Sequence, residues 1–382
     1  MQEKERIDSY WLCNMKGIGA ASIRKLLEKA GSVETVLSLP EKTVRALLGD
    51  RKAECFLDGL GQAKREAAKR SFYRLEERGI FFLPFWDEDY PERLLRIYDA
   101  PVCLYGKGKL PGAGKKAVAV IGTRECSPYG RDAAGYFAGG LAQQDVVIIS
   151  GMARGVDGIA QWAALEAGGS TVGVLGCGVD ICYPPENREL YERLVREGCL
   201  LSEYPPGTNP KASLFPPRNR IISGLSDMVL VIEAREKSGT LITVDMALEQ
   251  GRDVFALPGR ITDGCSRGCN RLIANGAGMA KSVPQILREL KMEGTSVPAG
   301  SRCEKAACDT PVGEGLDGRI RAALDEEPVC IDELQKRLAA QGERPPVAEL
   351  MHALMLLSME GAVKSRAGMF FTEKKQEFFH LH

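Results

Sequence analysis

The sequence predicts an α/β protein: a doubly wound parallel sheet, with a helical segment before it and a small domain after it. Three observations carry this. Between residues 117 and 257, short apolar runs rich in Val, Ile and Leu alternate with longer stretches of helical spacing. Strands buried on both faces of a parallel sheet have this composition. The first two runs end in small residues beside an arginine, where such sheets gather their ligand loops. Finally, 382 residues exceed one typical domain, and 44% hydrophobic content is ordinary for a chain with real cores.

In order, residues 1–80 read as a helical domain. Within it Gly17-Ile18-Gly19 separates two helical runs, a pattern that resembles a helix-hairpin-helix (SAM-like) unit. There, Gly17 and Gly19 would offer backbone amides to DNA phosphates, a contact that positions without reading sequence. An ordinary turn in a packing domain accounts for them equally well. Residues 79–108 suggest an extended lead-in with Leu94, Leu95, Ile97 and Val102–Tyr105 buried, and the Gly/Lys-rich stretch 107–116 a connector.

The domain 81–291 then alternates. Strands are expected near 117–121, 146–149, 171–175, 199–202, 228–232 and 253–257. Helices are expected near 129–143, 156–168, 186–197, 217–224, 240–251, 268–275 and 283–291. Residues 292–314 lack periodicity and read as a linker. Over 315–372, three helical faces followed by a two-stranded ribbon around Gly368 suggest a winged helix, and 373–382 a tail. Such folds often bind DNA. Its third helix, Val347–Met359, carries Glu349 and no Lys or Arg, so protein contact or packing is the expected role.

Charge and composition narrow the function. Lys+Arg and Asp+Glu both number 51, so a polyanion would have to meet a local basic patch. No basic segment followed by an apolar core opens the chain and no run is long enough to span a bilayer, so a cytoplasmic location without membrane contact is expected. The twelve cysteines form no Cys-x-x-Cys pair; reduced thiols and no zinc site are expected. The three histidines, His352, His380 and His382, lie far from the central domain, which disfavours a hydrolase triad. Neither GxxxxGK[ST] nor a clean GxGxxG occurs, so no nucleotide cofactor is expected.

Three stretches carry candidate chemistry. Gly122-Thr123-Arg124 and Ser150-Gly151 end the first two strands, where backbone amides and a helix start favour an anion. The stiff, proline-rich 204–224 holds Lys211, Phe215, Arg218, Asn219 and Arg220. Cations around an aromatic suit a single strand, neutralising phosphates and offering a face to a base. Alternatively Phe215 plugs the core, and Arg218 and Arg220 are helix-surface charges. Ser238-Gly239-Thr240 opens a helix; it caps that helix and is a second possible phosphate site.

In order, GTR (122–124), SGMARGVDGIA (150–160), YPPENRELY (183–191), SEYPPGTNPKASLFPPRNRIISGLSD (202–227), SGTLIT (238–243), LPG (257–259) and GCNRLIANGA (268–277) resemble the DNA-processing protein A (Smf) family. The resemblance covers about residues 80–290. It implies an extended Rossmann-like fold and a non-catalytic recombination mediator. Such a mediator binds single-stranded DNA, protects incoming DNA and loads a RecA-type recombinase in natural transformation, with single-strand-binding protein a further partner. By position, the resemblance makes Arg124 and Lys211 phosphate contacts and Phe215 the stacking aromatic; Arg218, Asn219 and Arg220 match the FPxRNR motif. Thr123 stands where many members have Ser, keeping the hydroxyl, and Val156 where Ile is common. The resemblance also implies a homodimer through the central domain. Leu272, Ile273, Ile286 and Leu287 are candidates for its surface unless the core claims them. The alternative is a nucleotide phosphoribohydrolase, but those enzymes carry PGGxGTxxE, and Glu249 is displaced from that pattern.

Overall fold

The computed structural model describes residues 1–292 and parts of 319–371, which fall into two compact units, 1–297 and 298–382. The proposed linker and tail lie outside the described residues, apart from Met292.

The first unit opens with six helices: α1 (Glu3–Cys13), α2 (Ala20–Ala30), α3 (Val33–Leu37), α4 (Glu41–Leu48), α5 (Asp50–Gly59) and α6 (Gln62–Glu77). They close around Trp11, Leu12, Ile23, Leu26, Val36 and Phe56. Gly17 turns the chain between α1 and α2 at φ +81°, and Gly19 caps α2.

A nine-stranded sheet follows. Its strands are β1 (Ile80–Pro84), β2 (Cys103–Gly108), β3 (Ala117–Ile121), β4 (Val147–Ser150), β5 (Thr171–Val174), β6 (Cys199–Ser202), β7 (Met228–Val231), β8 (Asp253–Ala256) and β9 (Gly278–Met279). The order is β1-β2-β6-β5-β4-β3-β7-β8-β9, parallel from β6 to β9, with β1 and β2 antiparallel at one edge. The six expected core strands form within a residue of their predicted bounds.

The interleaved helices are α7 (Glu92–Leu95), α8 (Pro128–Gln143), α9 (Val156–Glu166), α10 (Arg188–Glu197), α11 (Phe215–Gly224), α12 (Gly239–Glu249), α13 (Arg267–Ala274) and α14 (Val283–Glu289). They cover both faces of the sheet. Alternation along β3 shows how: Ala117, Ala119 and Ile121 pack with Ile221, Ile222 and Val244, while Val118 and Val120 pack with Phe137, Leu141 and Ala160.

Two expectations need correction. Leu95 is 47% exposed, since it ends the single turn α7 whose inward side is taken by Leu94. Ile286 and Leu287 lie in the core against α8, so they cannot form a dimer surface; Leu272 and Ile273 are half-buried against the other core.

In the second unit, α15 (Ile331–Ala340) follows the first strand of a small antiparallel sheet and precedes the other two. Its order is β10 (Val329–Cys330), β12 (Met369–Phe371), β11 (Lys364–Arg366), so a third strand joins the expected ribbon. Ile320, Leu334, Leu338, Leu350, Leu354 and Val363 form its core. Gly368 and much of Val347–Met359 lie outside the described residues.

Candidate nucleic-acid interface

The chain winds β3, β4, β5 and β6 to one side of β3, then returns to lay β7 on the other. At such a reversal, helices leave to opposite faces and a crevice opens at the carboxyl ends of the strands. A cavity of about 810 Å³ lies there, lined from the loops after β3, β4, β5, β6 and β7.

Arg124, exposed, lines the cavity from the turn after β3. This turn is fixed by its backbone: the Thr123 amide donates to the Glu233 carbonyl at 2.9 Å, and the Val156 amide to the Thr123 carbonyl at 3.2 Å. The Glu125 amide donates to the Thr123 hydroxyl at 3.3 Å. Gly122 and Thr123 are half-buried lining residues. Gly155 permits this closeness. Its φ is +72°, and a Cβ there would stand 2.3 Å from the Thr123 carbonyl oxygen. Buried Glu233 caps the start of α8, accepting from the Ser127 amide at 2.9 Å and the Ser127 hydroxyl at 2.5 Å.

Behind the cavity sit two buried side chains of opposite charge, Arg218 and Asp157. The Arg218 Nη1 donates to the Gly151 carbonyl at 2.8 Å and to the Val174 carbonyl. The Asp157 carboxylate accepts from the Gly151 amide at 3.0 Å. Burial pushes the Asp157 carboxyl up from its ordinary value, opposed by Arg218 and by the amides of Gly151 and Ala153. Burial likewise lowers the Arg218 guanidinium, opposed by Asp157. Arg218 is thus a structural cation that still reaches the cavity wall, beside Asn219, whose Oδ1 accepts from Arg218 Nε at 3.3 Å.

The other predicted residues divide. Lys211 is exposed, between the lining residues Pro210 and Ala212. Phe215 lines the cavity half-buried, its ring stacked on Tyr183 with centroids 5.4 Å apart and planes inclined by 24°. Ser238 caps α12, accepting from the Thr240 amide at 3.2 Å, and Ser238, Gly239 and Thr240 all line the cavity. Three predicted residues stand behind the surface. Ser150 is fully buried and its hydroxyl donates to the Val120 carbonyl at 2.7 Å. Gly151 is buried with its amide and carbonyl both engaged. Arg220 faces away, paired with Asp99 at 3.0 Å and Glu203 at 2.5 Å.

Sequence reasoning left out Tyr183, Asp157, Asn187 and Lys237. Asn187 ties the Tyr183 loop to the loop after β4, its Nδ2 donating to the carbonyls of Met152 at 2.9 Å and Ala153 at 3.2 Å. The YPPEN run was the available signal. Among cavity cations, Arg154 lies 3.6 Å from Glu186 and Arg235 3.1 Å from Glu125. Arg124 and Lys237 have no carboxylate partner among the described residues.

Glu249 ends α12, about 15 Å along the axis from Gly239 at the usual helical rise, so it lies far from the cavity. Among the described residues, no group of His, Cys, Asp or Glu is arranged to hold a metal, and no helix is long and apolar enough to cross a membrane.

The cavity thus brings unpaired cations and stacked aromatics together at the carboxyl edge of a doubly wound sheet. Residues 81–291 match the family model of DNA recombination-mediator protein A. The chain belongs to this family of DNA-processing proteins. It is 38% identical over 288 residues to DNA processing protein DprA of Streptococcus pneumoniae, covering 75% of this chain and 99% of that one. The X-ray structure of the S. pneumoniae protein superposes with a TM-score of 0.67, covering 74% of this chain and 97% of that one. A structure of DNA processing protein A from Helicobacter pylori, described for its single-stranded DNA binding mode, is 32% identical with a TM-score of 0.50. It covers 56% of this chain and 96% of that one.

Proposed function

We propose that this chain binds single-stranded DNA in the cavity above β3–β7 and acts as a recombination mediator without catalysis of its own. The observation that carries this is the meeting, in one cavity, of the unpaired cations Arg124 and Lys237 with the stacked rings of Phe215 and Tyr183. Cations neutralise successive phosphates, and an aromatic wall accepts any base, so binding is strong but indifferent to sequence. The single-stranded DNA binding mode of the H. pylori relative supports the reading.

On this account the protein works in the cytoplasm. It protects incoming strands in transformation or DNA processing and delivers them to a RecA-type recombinase, in exchange with single-strand-binding protein. It does so as a homodimer built through the 81–291 domain. The helical domain 1–80 adds a phosphate contact at Gly17 and Gly19, and the winged-helix-like 315–372 contacts protein. Titration of labelled oligo-dT by anisotropy tests the strand reading. Pull-down of a RecA-type recombinase, with and without DNA, tests delivery, and recovery that is equally absent in both overturns it.

A further inference from the structure

The aromatic wall has an inner and an outer ring. Phe215 begins α11 and is half-buried. Tyr183 covers it at 5.4 Å. The Arg218 guanidinium carbon lies 5.9 Å from the Phe215 centroid. The Gly176 backbone is so close that a Cβ there would fall 2.7 Å from Phe215 Cδ1. One face of Phe215 is taken by Tyr183, which leaves Tyr183 the more exposed of the two rings. Tyr183 is 40% exposed and lines the same cavity. Its loop is anchored on both sides: before it the Ile181 amide donates to the Gly178 carbonyl at 3.0 Å, and after it the Asn187 amide donates to the Pro184 carbonyl at 3.1 Å and the Asn187 side chain to the loop after β4. An aromatic that is open on one side, backed by a second ring and held by a fastened loop is a preorganised stacking surface.

We propose that Tyr183 is the base-stacking residue of this cavity and that Phe215 is the positioning residue that holds Tyr183 flat. This rests on the single-strand reading above. A base then adds a third layer to a stack that the protein has already built in two. Arg124, which lines the same cavity, takes the adjoining phosphate. The ring face, not the hydroxyl, does this work, since stacking is a property of the π surface.

The test uses the full chain and an oligo-dT strand carrying a single 2-aminopurine, whose fluorescence falls when it stacks. Tyr183→Ala is expected to melt as the parent does, to lose the quenching, and to bind about 5- to 150-fold more weakly, the equivalent of losing one base stack. Its salt slope should equal the parent's, because no phosphate contact is lost. Tyr183→Phe is expected to recover the quenching and most of the affinity. Tyr183→Leu, which covers Phe215 without an aromatic face, should behave like Tyr183→Ala. Parent-like binding by Tyr183→Ala overturns the proposal, as does a salt slope that falls with the affinity. A parent protein that fails to bind the strand at all refutes the single-strand reading itself, and is thereby told apart from a failure of Tyr183.

Discussion

Asp157 and Arg218 hold the same residue from its two polar ends: Asp157 accepts the Gly151 amide at 3.0 Å, and Arg218 donates to the Gly151 carbonyl at 2.8 Å. Both side chains are buried. The loop after β4 is therefore held through Gly151 by two buried side chains of opposite charge.

The first prediction follows from that pair. Arg218→Ala removes the donor that the buried Gly151 and Val174 carbonyls use and the cation that opposes the Asp157 charge, so it should lower stability by at least about 1–3 kcal/mol near neutral pH. Burial raises the Asp157 carboxyl on folding. A raised carboxyl means the folded state binds more protons than the unfolded one. Stability therefore falls as pH climbs from the ordinary carboxylate value through the raised one. Arg218→Ala removes the main opposing charge and extends that window upward. Its deficit should shrink on acidification to about pH 4, where a protonated Asp157 needs no cation. Thermal melts at both pH values check this; an equal deficit at both would contradict it.

Arg124 behaves differently because it is exposed. Arg124→Ala should leave the melt within about 0.5 kcal/mol of the parent. It should weaken binding to all single strands alike and reduce the salt slope by roughly one unit. Titrations at several salt concentrations measure both.

Arg220 was expected to touch DNA from its place in FPxRNR, but it is paired with Asp99 and Glu203. Arg220→Met should reduce stability while leaving the salt slope of strand binding unchanged. A slope reduced by a full unit would place Arg220 back among the phosphate contacts.

Gly155 is the position where a methyl group does most harm. A Cβ there would meet the Thr123 and Arg124 carbonyls at 2.3 and 2.6 Å, and the backbone stands at φ +72°. Gly155→Ala should cost at least about 1–3 kcal/mol in backbone strain alone and displace the Arg124 turn. Strand affinity should fall further than in Arg124→Ala, which a paired melt and titration would show.

Much of this was legible from residues. Runs such as Ala117–Ile121 and Cys199–Ser202 are short, apolar and β-rich, and nothing in tertiary packing competes with that signal, so the core strands and their helices appear where expected. The loops that would hold Arg124 and Phe215 were legible too, because a doubly wound sheet collects them at one edge. Strands β1 and β2 were not. Ile80–Pro84 and Cys103–Gly108 are separated by a loop with prolines and aromatics, and only their pairing with each other and with β6 makes them strands. Side-chain direction was equally hidden. Arg218 and Arg220 are two residues apart on α11 and so point to different sides, Arg218 behind the cavity and Arg220 toward Glu203. Tyr183 was not legible because its partner Phe215 lies at the start of α11, and a stack between distant segments leaves no spacing to read.

The central claim is that one cavity takes a nucleic-acid strand by its phosphates and by an unpaired base. A duplex hides its bases from such a wall, whereas a single strand presents them. Competition against a labelled oligo-dT strand tests this most directly, with unlabelled single strand and duplex of equal length as competitors. Displacement by the single strand at far lower concentration than by the duplex is the predicted result. Equal displacement by the two would contradict the account.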